Sequence, residues 1–443
     1  MRDISGARDP ARVPSARPSP APAGALGFVS QGGLVQTGIN SGDTAFVLVS
    51  AALVALMTPG LAFFYGGLVR RKNFLSIMMQ SFISMGVVTA IWVAVGYSLA
   101  FSGNLGGIIG NLSWAGLRTV GEAPGPWAPT IPAAAHFVYQ EMFAIITPAL
   151  ITGAFADRVN FKSYLKFLVI WSLLVYIPFT HWIWGGGWLA KLGVLDFAGG
   201  MVVHVSAGFA ALASVLVVGK RHFAPGERGL PHNVAFVALG TGLLWFGWFG
   251  FNGGSALAAN GVAAQAFVNT DIAGSIAMCT WLAITWLKSG KPSLTGALTG
   301  AVAGLACITP AAGYVPIWAA FVIGILAGSV CYYAVVLREK MNWDDALDVW
   351  GVHGVGGLLG SVLLGVFASK AVNAAGADGL LLGNARFFGV QVLAAVVTAA
   401  YAFVVTYVIL KVLNMFSPVR VPDSVEQKGL DMELHGEQAY DLT

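Results

Sequence analysis

Charge is scarce in this sequence. Asp, Glu, Lys and Arg make up only 10% of its 443 residues, against about a quarter in a soluble domain, which excludes an ordinary water-soluble fold. The net charge of +4 comes from Lys and Arg in short loops. That placement bears on membrane orientation and points away from nucleic acid. Cysteine is almost missing. Cys279, Cys307 and Cys331 lie in apolar stretches at no metal-ligand spacing, so packing is their expected role. No nucleophile–base pair or metal-ligand set is present either, which leaves an intramembrane enzyme without support and implies no cofactor. Residues 1–40 lack the hydrophobic core of a signal peptide and carry Arg2, Arg8, Arg12 and Arg17. Residues 1–42 are therefore read as a disordered or processed N-terminal tail.

Apolar residues are what the chain has in excess. They make up 57% of it, with a mean hydropathy of +0.75. Runs long enough to cross a hydrocarbon core of about 30 Å recur at 43–68, 74–101, 132–156, 162–184, 197–219, 232–252, 263–287, 294–313, 315–337, 346–367 and 387–411. The fold class expected is an all-α polytopic membrane protein with eleven transmembrane helices. Fifty-seven glycines suit helices that approach closely in such a bundle. Thirteen Lys and Arg flank the loops after odd-numbered spans, against four on the other side. The odd-loop side is then cytoplasmic, with the N-terminus outside and the C-terminus cytoplasmic.

The chain also repeats itself. Ile146-Thr147-Pro148-Ala149 in the third span matches Ile308-Thr309-Pro310-Ala311 in the eighth. Tyr65-Gly66-Gly67-Leu68 ends the first span, and Asn252-Gly253-Gly254-Ser255 ends the sixth. In the fifth and tenth, Asp196 precedes His204 by eight residues, as Asp345 precedes His353. Five spans per unit is an odd number, so the halves are expected to be inverted relative to each other. The domains expected are a first five-helix repeat at 43–219, a cytoplasmic loop at 220–231, a second repeat at 232–367, the final helix at 387–411 and a cytoplasmic tail at 412–443.

An ionisable side chain at membrane depth is costly and marks an ion or proton pathway by default. Two of them in matching halves point to one site at the repeat interface. Two neutral imidazoles can share a proton, one ring nitrogen donating and its neighbour accepting. The plainer alternative is two buried histidines, each bonded to a backbone carbonyl. A shared metal is disfavoured, because eight residues of helix separate each aspartate from its histidine by about 12 Å. Aromatic residues crowd the ends of the same spans. Tyr139 and Phe143 share a helix face, Trp184 precedes Gly185-Gly186-Gly187, and Trp245, Trp248 and Phe251 lead to Asn252. Their faces suit a small cation; an interfacial aromatic belt is the competing reading.

At this level of detail the motifs resemble those of a known family. Asp196-Phe197-Ala198-Gly199-Gly200 running to Gly219-Lys220-Arg221 resembles the signature of the ammonium transporters (Amt/Mep/Rh). Met57-Thr58-Pro59-Gly60, Trp248-Phe249-Gly250-Phe251-Asn252 and Gly351-Val352-His353-Gly354 resemble its other hallmarks. Gly429-Leu430-Asp431, His435-Gly436-Glu437 and Tyr440 resemble the regulatory tail of bacterial members. The resemblance implies homotrimers in the cell membrane with one pore per subunit, transport of ammonium and methylammonium, and a cytosolic PII-type signalling protein as partner. It implies an external site of Trp184, Ser255 and Phe143, a gate of Phe143 and Phe251, and a proton-relaying pair of His204 and His353 with Trp248 beside it. Asp196 takes a structural role near the external site. Glu141 departs from the pattern; lying about 200° round the helix from the aromatic face, it is expected at a helix or subunit interface. A sensor and a neutral Rh-type channel for NH3 or CO2 are the competing functions. A chain ending at Thr443 is short for a sensor, and the aromatic mouth suits a cation.

Overall fold

Asn40 opens the first helix because its side-chain oxygen accepts the Asp43 amide at 3.0 Å, the usual role of Asn at a helix start. From there the structure, a computed structural model, is mostly helical. It describes residues 38–223, 227 and 229–440. The expected N-terminal tail falls almost wholly outside the described residues, as does Arg228 of the charge count.

Among the described residues, ten helical segments are long and apolar enough to cross a membrane: α1 (Ser41–Leu68), α2 (Arg71–Phe101), α3 (Ala133–Phe155), α4 (Phe161–Leu192), α5 (Gly200–Val218), α6 (Val234–Ala256), α7 (Gly261–Ser289), α9 (Ile317–Lys340), α10 (Trp350–Phe367) and α11 (Ala385–Phe416). The segment expected at 294–313 is shorter. Its helix, α8, covers only Leu294–Ile308, about 22 Å at 1.5 Å per residue. The chain leaves it at Thr309-Pro310, whereas the matching Thr147-Pro148 lies inside α3, which runs on to Phe155. The same tetrapeptide thus ends one helix and is carried through in the other.

Packing sets the layers. α1 and α6 lie against each other along their lengths, α7 packs on α8 and α9, and α5 contacts α10 and α11. α3 and α5 are the most enclosed. α7, α9 and α11 carry a belt of exposed large apolar side chains, including Leu287, Phe321 and Val396, as expected of a surface solvated by lipid. A short hairpin, β1 (Pro124–Gly125) and β2 (Ala128–Pro132), precedes α3. After α11 come a short helix, α12 (Asp423–Lys428), whose Glu426 accepts the His222 amide at 2.6 Å, and a π-helical turn at Asp431–His435. There Asp431 accepts from the amides of Leu75 and Ser76 at 3.0 and 2.8 Å, capping α2.

Candidate functional site: a histidine pair between two vestibules

α5 and α10 begin in the same way. The Asp196 carboxylate accepts the amides of Gly199, Gly200, Met201 and Val202 at 2.6–3.1 Å. Asp345 accepts the Trp350 amide at 2.7 Å. Each buried acid therefore satisfies amide groups that a helix start leaves without partners. Burial pushes the Asp196 carboxyl above its ordinary range, and the four amides pull against that shift.

Immediately after each cap the helix is wound as a π-helical turn, Gly200–Val205 and Trp350–Gly354. Such turns are rare and concentrate at functional sites. They hold His204 and His353. Close approach of the two turns requires glycine: a methyl group on Gly208 would collide with the Gly354 backbone. The two Nδ1 atoms meet at 3.2 Å, with the rings nearly parallel at 19° and 5.2 Å apart. The Trp248 ring lies nearly parallel to His204, at 21° and 5.4 Å, and its indole N–H donates to Thr309 Oγ1 at 2.9 Å. His204 Nε2 is buried and has no hydrogen-bond partner among the described residues.

The pair borders an apolar slot of about 10 Å³, walled by Ile146, Leu150, Trp248 and Phe251 among others. That volume holds about one water-sized molecule. At one end lies a vestibule of about 510 Å³ bordered by Phe143, Trp184, Asp196, Ser255, His136 and Gln140. Phe143 borders this vestibule, Phe251 borders the slot, and their rings lie 4.2 Å apart. The two phenyl groups are thus the partition. The Trp184 ring stands perpendicular to Phe143 at 89° and 5.8 Å. It is held by its N–H donating to the Asp196 carbonyl at 2.7 Å. Ser255 donates to the Phe251 carbonyl at 2.8 Å, and its Oγ lies 3.1 Å from the Tyr139 hydroxyl.

A second vestibule of about 350 Å³ opens at the far end. His353 borders both it and the slot, and Arg221, Arg338 and Asp348 face it. Arg338 pairs with Asp348 at 2.8 Å and Arg221 with Asp344 at 2.7 Å. Burial pushes the Asp348 carboxyl up to about 7, against the pull of Arg338.

The eight residues to which the resemblance gives a role at the mouth, the gate or the histidine pair all border the slot or a vestibule; Tyr139 borders neither. Trp245 packs against Gly274 of α7 and borders neither vestibule nor slot. Glu141 is buried and hydrogen-bonded to Thr89 of α2, between helices and off the path. Sequence reasoning missed His136 and Gln140, although they sit seven and three residues before Phe143 and so share its face. His136 is bonded through Nδ1 to the Tyr97 hydroxyl at 2.9 Å. Asp348 and Arg338 were missed as well, because nothing local marks a loop acid, or an arginine in the last turn of α9, as facing this vestibule.

The whole path lies within a stretch that matches a known family: residues 45–440 match the Ammonium Transporter Family. The chain belongs to this family. It is 49% identical to an ammonium transporter of Bacillus subtilis over 404 residues, covering 91% of this chain and 99% of that one. It is 47% identical to the ammonium transporter Amt1 of Archaeoglobus fulgidus, covering 91% and 100%. Among solved structures, Candida albicans Mep2 superposes with a TM-score of 0.82 at 37% identity, covering 87% of each chain. A sensor Amt protein superposes with a TM-score of 0.81 at 27% identity, covering 89% of this chain and 98% of that one. As a member of the ammonium transporter family, the chain is a multi-pass membrane protein.

Proposed function

We propose that this chain carries ammonium and methylammonium across the cell membrane. NH4+ is recruited between the faces of Trp184 and Phe143 with Ser255 Oγ as acceptor, is deprotonated at the Phe143/Phe251 gate, and crosses the slot as NH3. The proton travels separately through His204 and His353, so that transport moves net charge. The observation that carries this reading is the Nδ1 to Nδ1 contact of 3.2 Å inside a slot of about 10 Å³.

A bare ion in such a slot is very costly because no water follows it. An amine acid such as lysine, with an ordinary pKa of about 10.4, is brought down by up to about 3–5 when fully buried. That places proton loss within reach of an imidazole near 6.5. Potassium has no proton to lose, so its exclusion follows from chemistry more than from radius.

The halves 43–219 and 232–367 are read as an inverted repeat. In support, Thr147 and Thr309 each donate to the carbonyl four residues back, at 2.6 and 2.7 Å, and their equivalent first helices α1 and α6 pack together. With α8 counted, the chain has eleven transmembrane helices. The charge asymmetry puts the Trp184 vestibule outside and the Arg221 vestibule in the cytosol. Three copies form a trimer, and the folded-back tail presents a surface to a PII-type signalling protein.

The test is the charge displaced in liposomes holding the purified protein after an ammonium jump, with potassium as control. A current whose decay quickens with protein density, absent with potassium, is the expected result. No sustained charge movement would overturn the electrogenic reading in favour of a neutral NH3 channel or a sensor.

A further inference from the structure

We propose that Asp348 is the inner proton acceptor, taking from His353 the proton that the histidine pair delivers and releasing it to the cytosol. This rests on the transport reading above, which needs an exit for the proton and leaves it at His353.

Three observations place Asp348 there. His353 and Asp348 border the same vestibule of about 350 Å³, and His353 alone of the pair reaches that space. Asp348 lies five residues before His353 and is joined to the turn that holds it, its carbonyl accepting the Val352 amide at 2.9 Å. Its backbone adopts a left-handed φ of 58°, a conformation that aspartate takes more readily than most non-glycine residues, and this turn sets the loop that leads into the His353 segment. The groups acting on its carboxyl are Arg338 and Glu339 of α9, Asp345 of the same loop, and Arg221. Burial, Asp345 and Glu339 raise it, whereas Arg338 and Arg221 lower it, and the balance near 7 suits a group that must both take and lose a proton at neutral pH.

The step is a simple transfer. The imidazolium of His353 gives an N–H proton to a vestibule water, and that water passes one of its own to an Asp348 carboxylate oxygen. His353 returns to neutral, the new O–H is lost to cytosolic water, and no electrons change owner. Arg338, 2.8 Å from Asp348 Oδ1, favours the ionised form and so promotes release.

A structural ion pair is the competing explanation, and two readouts on the full-length protein in liposomes separate them. One is charge displacement after an ammonium jump; the other is internal alkalinisation by NH3 with the membrane voltage clamped at zero. Asp348→Asn is expected to cut the charge signal about a hundredfold, the scale of one positioned proton-transfer group, while NH3 that now arrives without its proton raises the internal alkalinisation above the wild-type level. Asp348→Glu is expected to keep both. Arg338→Gln is expected to lose current at neutral pH and regain it when the internal pH is raised by about one to two, since the unassisted acid needs a higher pH to ionise. Wild-type current in Asp348→Asn, or a pH-independent loss of current in Arg338→Gln, would overturn the proposal. So would loss of the charge signal in Asp348→Asn with no gain in alkalinisation. If the wild type itself carries no ammonium current, it is the transport reading that falls.

Discussion

His204 and His353 meet through like atoms, Nδ1 to Nδ1 at 3.2 Å. One ring must therefore donate and the other accept, so the two tautomers are tied together and the pair behaves as a single proton-holding unit. His204→Leu and His353→Leu should each abolish most of the ammonium-driven current, and the double variant should lose little more. Groups acting as a unit are grossly non-additive. Equal, additive losses in a double-mutant comparison of liposome currents would argue for two independent histidines.

Phe143 and Phe251 separate a vestibule of about 510 Å³ from the slot. Phe143→Ala removes one half of that partition and lets water follow an ion inwards. A potassium conductance absent from the wild type is the expected outcome, recorded in the same liposomes. Retained potassium exclusion would mean that selectivity is set deeper, at the histidines.

Trp184 offers its face to the vestibule while its N–H is occupied by the Asp196 carbonyl. Trp184→Leu should raise the ammonium KM by about 2- to 30-fold, the range spanned by a cation–π contact of about 0.5–2 kcal/mol. A change confined to the maximal rate would remove Trp184 from recruitment.

Gly208 touches the backbone of Gly354, whereas nothing lies within 4 Å of the position a methyl group would take on Gly242. Gly208→Ala should cost about 1–3 kcal/mol or more by forcing α5 and α10 apart, and should lower the thermal midpoint in detergent. Gly242→Ala should leave it unchanged or raise it, because alanine is the better helix former. Similar midpoints for both variants would contradict the close-contact account.

Acid should weaken the loop network that borders the vestibule beside Arg221. Burial raises the Asp344 carboxyl, but Arg221 more than offsets this and holds it down to about 2. A carboxyl depressed on folding stabilises the folded state above its unfolded value of about 3.9. That contribution, at most about 2 kcal/mol after screening, fades as pH falls towards 2. Arg221→Gln should show a shallower loss of thermal stability than wild type between about pH 4 and pH 2.

Much of this site was legible in the chain. Motifs at matching intervals marked His204 and His353, and aromatic residues beside helix-breaking glycines marked Trp184 and Ser255. The same signal misled at Trp245, because a tryptophan one helical turn before Trp248 lies close to its face and only the neighbouring helix decides which indole borders the slot. His136 and Gln140 had a readable signal in their spacing to Phe143 that went unused.

What the sequence determined by itself was a matter of solvent and period. Few charges and long apolar runs require a bundle in lipid, and the matching motifs of the two halves pair two histidines. The tertiary structure decided the rest. Only packing makes Thr309-Pro310 a helix end while Thr147-Pro148 stays inside one. The π-helical winding, the choice of Nδ1 over Nε2 and the placing of Asp348 in the vestibule below His353 all depend on how closely α5 and α10 approach. That approach is set by contacts between residues more than a hundred positions apart, such as Gly208 and Gly354, and no local pattern encodes it.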